Sequence, residues 1–141
     1  MSNAMKAEGK CLCGTVVFKT KEASPLVGVC HCEMCRRWGG GPFMGINCGS
    51  DVSFEGGENI EVFNSSDWAE RGFCGKCGTH LFYRIKRNKM HMMPVGLFGD
   101  KLPLKFTHEV FIDEKPGFYD FSNETEQMTG EECFAKFGED G

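Results

Sequence analysis

The stretch Cys74-Gly75-Lys76-Cys77-Gly78-Thr79-His80-Leu81-Phe82-Tyr83-Arg84-Ile85 joins a metal-knuckle pattern directly to a strand. Two residues separate the thiols, and the glycines permit the positive-φ backbone that so tight a turn often needs. Thr79–Ile85 is rich in β-branched and aromatic residues, the composition of a strand. Working outward, the cysteines cluster twice more, as Cys11-Leu12-Cys13 and Cys30-His31-Cys32-Glu33-Met34-Cys35, so seven of the nine cysteines fall into three groups. A closed tetrahedral zinc site takes four thiolates, whereas a site kept open for chemistry takes three. Four plus three uses every clustered cysteine, and the sequence therefore predicts one structural zinc and one zinc with a free coordination position.

The spacings support metal binding on geometric grounds. In an extended strand alternate side chains share a face, which would bring Cys11 beside Cys13 and Cys30 beside Cys32. A disulfide framework is the rival reading. An odd cysteine total, the lack of a secretory leader and CxC pairs too cramped to bridge easily all count against it. The clusters are nested along the chain, whereas tandem zinc fingers would close each metal loop locally. If the first and last clusters share an ion, that ion staples the start of the domain to a knuckle about sixty residues away, closing a long loop. Spacing leaves open the alternative pairing of Cys11 and Cys13 with Cys30 and Cys32.

A chain of 141 residues accommodates one domain with a real core, taken as residues 5–141. Met1-Ser2-Asn3-Ala4 reads as a vector-derived scar ahead of a natural Met5. The net charge of −4 argues against non-specific nucleic-acid binding, and thiolates around zinc would make the loaded protein more acidic still. No hydrophobic run reaches the length of a membrane span, and the thiol-rich composition fits a reducing cytoplasm. The charge is uneven: residues 109–141 carry ten Asp and Glu against Lys115 and Lys136, while residues 1–108 carry fourteen Lys and Arg against ten acids. The cysteine-bearing part could thus hold a small anion, although an ordinary solvated surface explains the same counts.

Strand signals recur at Thr15–Lys19, Leu26–Cys30, Phe43–Asn47, Ile60–Phe63, Trp68–Phe73, His80–Lys86, Met90–Val95 and Phe106–Ile112. Nineteen glycines suit hairpins and bends, and Glu55–Glu58 and Trp38–Pro42 read as loops. Thr129-Gly130-Glu131-Glu132 matches a capping box that opens a C-terminal helix, with Cys133, Phe134 and Phe137 on one face. Short helical turns are also expected after Cys32 and after Asp67.

Outside the clusters the ordinary readings prevail. Cys133 is expected to be a small core residue, and Cys48 a buried thiol in preference to a fourth ligand. His31, between two ligands, should point away from the metal and support the site from behind. His80 is read as structural, and His91 and His108 have no evident partners in the sequence. No paired acid–base carboxylates, phosphate loop or Ser-His-Asp pattern stands out.

The joint pattern of Gly9-Lys10-Cys11-Leu12-Cys13-Gly14, Cys30-His31-Cys32-Glu33-Met34-Cys35-Arg36-Arg37, Trp38-Gly39-Gly40-Gly41 and Phe73-Cys74-Gly75-Lys76-Cys77-Gly78 resembles the glutathione-dependent formaldehyde-activating enzyme (GFA-like) family. The tract Phe111-Ile112-Asp113-Glu114-Lys115-Pro116 adds to the likeness, which runs from about Lys6 onward. The resemblance implies a β-tent of several antiparallel sheets around zinc. It also implies that Cys11, Cys13, Cys74 and Cys77 are structural ligands and that Cys30, Cys32 and Cys35 hold the catalytic zinc. By the same resemblance the activity is that of a carbon–sulfur lyase, and the substrate is a glutathione–formaldehyde adduct, S-hydroxymethylglutathione. Arg36, Arg37 and Trp38 lie just past the open-site cysteines, where an arginine fork could grip a glutathione carboxylate. Three anionic ligands make a weaker Lewis acid than neutral histidines, which favours handling a thiol over hydrolysis, with the cysteines as ligands and not covalent nucleophiles. The competing reading is a non-catalytic zinc module that binds a protein or small ligand, because a fold does not fix a function.

Overall fold

Alternation of covered and exposed side chains, the pattern a pleated backbone imposes when one face meets a core, organises most of this chain into strands. The computed structural model describes residues 4–137, so Met1–Asn3 of the expected scar and residues 138–141 lie outside the described residues. In chain order the strands are β1 (Met5–Lys10), β2 (Val17–Ala23), β3 (Leu26–Cys30), β4 (Phe43–Asn47), β5 (Val52–Glu55), β6 (Ile60–Asn64), β7 (Ala69–Cys74), β8 (His80–Ile85), β9 (His91–Pro94), β10 (Lys105–Val110) and β11 (Glu126–Met128). The helices are α1 (Glu33–Gly39) and α2 (Gly130–Phe137). One sheet has three strands in the order β1-β2-β5, and the other has eight in the order β11-β10-β3-β4-β9-β8-β7-β6.

The fold is mainly β with antiparallel sheets and a short C-terminal helix, as expected. Two ladders depart from the antiparallel rule, since β10 runs parallel to both β3 and β11. Parallel neighbours cannot be joined by a hairpin, so the chain makes a long excursion before β10 reaches the edge of β3.

Val16, Phe18, Ile46, Leu81, Phe82 and Met93 form a common core with residues from both sheets, and each is essentially unexposed. Phe18 meets Phe98 edge-on at 5.3 Å and Phe54 at 6.2 Å. Burying one such ring contributes about 2–3 kcal/mol relative to leaving it in water. Strand β1 crosses so near the turn Val95–Phe98 that a Cβ on Gly9 would lie 2.3 Å from the Leu97 carbonyl oxygen.

Several local expectations need correction. Strands β1, β5 and β11 are additional to the sequence reading, being short or built from Lys, Ala, Glu and Gln with little apolar signal. The helical turn expected after Cys32 forms as α1, whereas the chain after Asp67 bends straight into β7. Trp38 and Gly39 close α1 instead of opening a loop, because the stop comes at Gly40, where φ is 88° and the N–H bonds the Arg36 carbonyl at 2.8 Å. Cys11 and Cys13 lie in a turn and not on a strand, with Gly14 N–H donating to the Cys11 carbonyl at 3.1 Å. At the other end the capping box is complete: Glu132 N–H donates to Thr129 Oγ1 at 3.0 Å, and Thr129 N–H donates to Glu132 Oε1 at 2.8 Å.

Candidate metal centres

Two glycine-ended turns build the first centre. In the turn after β1, Gly14 takes φ 81°, and in the turn after β7, Gly78 takes φ 82° with its N–H bonding the Cys74 carbonyl at 2.7 Å. An L-residue with a Cβ is strained at such angles, so glycine is what lets each turn fold its thiols inward. The Sγ atoms of Cys11, Cys13, Cys74 and Cys77 all lie within 4.8 Å of one another. This resolves the pairing that spacing left open, because Cys11 and Cys13 join the last cluster and not the middle one. Cys11 Sγ is 3.7 Å from Cys13 Sγ, and Cys13 Sγ is 3.9 Å from Cys74 Sγ. A tetrahedron with metal–sulfur bonds of about 2.3 Å has edges of about 3.8 Å. The separations therefore fit four thiolates around one ion and are far too long for disulfides.

The surroundings favour thiolate at Cys77 and Cys11, while burial pushes the Cys74 thiol up. Thr79 Oγ1 lies 3.1 Å from Cys77 Sγ, and hydrogen bonds from the Thr79 side chain and backbone hold the Cys77 thiol down at about 5. Val16 N–H donates to Cys11 Sγ at 3.3 Å. The quartet also joins the sheets, since β1 and β2 belong to the small one and β7 and β8 to the large one.

The second centre occupies one short segment. Cys30 ends β3, Cys32 is the N-cap of α1 and Cys35 lies in its first turn, with all three Sγ atoms within 4.8 Å of one another. Cys32 Sγ accepts the Cys35 N–H at 3.4 Å, so the ligand also serves as the helix cap. Hydrogen bonds from Cys30 and Cys35 hold the Cys32 thiol far below the usual range, while the same shared contacts, with burial, push Cys30 up. A set with one thiol acting as anion for two donors is what a cation would collect once all three lose their protons.

A cavity of about 460 Å³ opens beside this trio, lined by its three cysteines and by Arg71, Trp68, Tyr83 and Phe134 among others. Arg71 was passed over in the sequence. Its side chain is buried, with Nη2 3.6 Å from Cys35 Sγ and the guanidinium 5.0 Å from the Tyr83 ring centroid and 5.8 Å from that of Trp38. Strand parity offered a signal, because Arg71 shares one side of β7 with Ala69 and Phe73.

His31 turns away from the thiols, as expected, into a buried polar chain. Its Nδ1 is 2.8 Å from the Tyr119 hydroxyl, and its Nε2 is 2.7 Å from Glu109 Oε1. Burial opposes the Glu109 carboxylate, but hydrogen bonds from Thr125 and His31 outweigh it and hold its pKa below the usual carboxylate range. The Phe111–Pro116 tract clamps both helices. Glu114 Oε1 accepts Glu33 N–H at 2.8 Å at the start of α1, and Asp113 Oδ1 accepts Gly130 N–H at 2.8 Å at the start of α2.

The remaining candidates are placed as follows. Trp38 packs against Phe63, Phe73 and His80, and it lines a second cavity, of about 680 Å³, that also touches Cys11 and Cys35. Arg36 Nε donates to the His31 carbonyl at 2.9 Å, and Arg37 pairs with Glu33 at 2.9 Å on the exposed face of α1. Neither arginine lines the 460 Å³ cavity; both border a groove with Phe118 and Tyr119. Cys48 is wholly buried outside both clusters, and burial raises its thiol to about 12. Cys133 is a buried helix residue that also lines the trio's cavity. His80 donates Nε2–H to the Phe82 carbonyl at 3.1 Å, and burial lowers its pKa to about 4. His91 packs on Phe82, and His108 covers Gly28, where a Cβ would lie 2.2 Å from the His108 Nε2.

Residues 6–114 match the model of the family described as glutathione-dependent formaldehyde-activating enzyme. A Schizosaccharomyces pombe protein named as an uncharacterized lyase is 38% identical over 126 residues, covering 89% of this chain and 92% of its own length. A Halomonas elongata protein named "Putative glutathione-dependent formaldehyde-activating enzyme" is 26% identical, covering 94% of this chain and 89% of its own. A crystal structure of a Rhodobacter sphaeroides protein superposes with a TM-score of 0.56 at 24% identity, covering 68% of this chain and 91% of that one, which supports the fold alone. The chain belongs to the glutathione-dependent formaldehyde-activating enzyme family.

Proposed function

We propose that this protein is a zinc-dependent carbon–sulfur lyase that forms or cleaves the adduct of glutathione, or a related small thiol, with an aldehyde, S-hydroxymethylglutathione being the type substrate. The observation that carries this reading is the pairing of a four-cysteine cluster with a three-cysteine cluster beside a 460 Å³ cavity, in a chain of this family. In this account Cys11, Cys13, Cys74 and Cys77 hold the structural ion, and Cys30, Cys32 and Cys35 hold the catalytic one. When bound at the trio, zinc supplies one open position for a sulfur ligand and favours the thiolate over the thiol.

The chain's residues do the rest. Cys30, Cys32 and Cys35 serve as ligands and leave the nucleophile to the substrate sulfur. Phe43, Met92 and Phe134 line the cavity with apolar surface that limits water around the reacting sulfur and aldehyde carbon. In the forward direction a sulfur–carbon bond forms, the carbonyl π pair moves to oxygen, and that oxygen gains the proton the thiol has lost. The reverse direction expels the aldehyde and returns the thiol. Trp38 lines the neighbouring 680 Å³ cavity, and Arg36 and Arg37 offer forks for a peptide carboxylate in the groove outside α1. The domain is taken as one unit over residues 5–141, with a reducing cytoplasm as its setting. No helix of the described residues is long and apolar enough to cross a membrane.

Calorimetry on zinc-loaded protein tests the reading with glutathione and S-methylglutathione. The methylated compound keeps both carboxylates but cannot form a thiolate, so it should bind at least tenfold more weakly. Equal affinities would remove sulfur–metal contact from the account, and binding of neither would favour the non-catalytic zinc module.

A further inference from the structure

We infer that Arg71 is a built-in countercharge for the trio, which makes the open position selective for an anionic sulfur partner over a neutral ligand. This inference rests on the trio being an open metal site, as proposed above. Three thiolates around a divalent ion leave one negative charge. A second anion would meet repulsion there unless a cation stood close by. Arg71 is that cation, since it is essentially unexposed and its Nη2 is 3.6 Å from Cys35 Sγ.

The rest of its environment gives no other reason for a buried charge. Arg71 Nε and Nη1 are buried without a hydrogen-bond partner among the described residues. The adjacent carboxylate of Glu70 is committed to Arg84, at 2.8 Å. The rings of Trp38 and Tyr83 flank the guanidinium. A lone buried cation is costly, and breaking a buried charge pair leaves an uncompensated charge of similar cost. The anionic trio is the group that offsets it. Once that balance is met the metal-loaded trio and Arg71 together are neutral, and an entering thiolate takes the site to −1 instead of −2. In an apolar cavity, where screening is weak, that difference decides which ligand is taken. Arg71 thus acts as a positioning residue through electrostatics.

Cobalt-loaded protein tests this, because its visible d–d bands respond to a change of ligand and the quartet has no open position to change. The probes are 2-mercaptoethanol, which carries no charge besides its thiolate, and neutral imidazole. Arg71→Met and Arg71→Gln remove the charge, the latter keeping a hydrogen-bond donor, whereas Arg71→Lys keeps the charge and loses the fork. Both neutral variants should bind 2-mercaptoethanol at least tenfold more weakly than wild type, with imidazole affinity changed less than threefold. Arg71→Lys should stay within threefold for both ligands. Any one folded variant decides the matter. A neutral variant with wild-type thiol affinity, or an Arg71→Lys protein that loses tenfold, overturns the inference. Cys32→Ser separates this from failure of the metal-site reading: if it keeps the thiol-dependent band shift, the trio is not the open site.

Discussion

The two cysteine clusters are built in opposite ways. The quartet draws on two turns, one from each sheet, and Cys11 and Cys77 are 66 positions apart in the chain (77 − 11). The trio comes from one six-residue segment at the end of β3, with Cys32 capping α1. Closing a long loop constrains the unfolded chain and ties distant elements together, whereas a local cluster changes little of the topology. The quartet is thus built as a staple. The trio, with its cavity and its cation, is built as a site.

The sharpest way to break this contrast is Cys74→Ser. Metal binding at such a quartet is coupled to folding and is comparable in size to the whole stability of a domain, about 5–15 kcal/mol. The variant should lose one zinc equivalent and most of its cooperative unfolding transition, read by metal analysis and circular dichroism. A folded Cys74→Ser protein with two bound ions would sink the staple.

Glu109→Ala should have the next largest effect. It leaves His31 Nε2 behind the trio without its carboxylate partner, and a buried polar atom left unpaired costs about 1–3 kcal/mol. Because the pair lies behind Cys30 and Cys32, metal affinity should fall at the trio and hold at the quartet, as titration with a chromophoric chelator would reveal. Equal weakening of both sites would mean that the pair supports the fold in general.

Cys32→Ser should release one ion and shift the melting temperature by less than about 10 °C, since the segment it anchors is short. A loss matching that of Cys74→Ser would erase the distinction between staple and site.

His80 gives the smallest effect at neutral pH and a signed one in acid. It follows the quartet's knuckle, packs on Trp38 and has its pKa lowered from 6.5 to about 4 by burial. The unfolded chain takes up a proton below pH 6.5 that the folded chain refuses until about 4. The resulting loss of stability develops between those values and levels off below them, amounting to about 3 kcal/mol. His80→Gln should remove that part of the pH dependence when both proteins are compared at equal metal content in denaturant titrations.

Much of this was legible because metal ligands are chemically conspicuous and strands carry a two-residue period. The knuckle at Cys74–Gly78, the strand over His80–Ile85 and the Thr129 cap are all local patterns with local causes. Pairing of Cys11 and Cys13 with the last cluster was not local, and spacing could not choose it. The turn at Cys11–Gly14 was misread as strand because a CxC pair satisfies both geometries. Strand β11 was illegible for a different reason: three residues pair in parallel with β10 through tertiary context alone. Arg71 escaped notice because its importance comes from facing Cys35 across 36 positions of sequence. The arginines beside the trio in sequence, Arg36 and Arg37, instead spend their forks on a backbone carbonyl and a surface carboxylate.

Zinc K-edge absorption on the zinc-loaded protein, with and without glutathione, tests the central claim most directly. Seven cysteine sulfurs shared by two ions predict an average of about 3.5 sulfurs and 0.5 light atoms per zinc, rising to about 4 sulfurs when glutathione fills the open position. A coordination shell that is already all sulfur without glutathione, or one that glutathione leaves unchanged at 3.5, would contradict an open zinc made to receive a thiol.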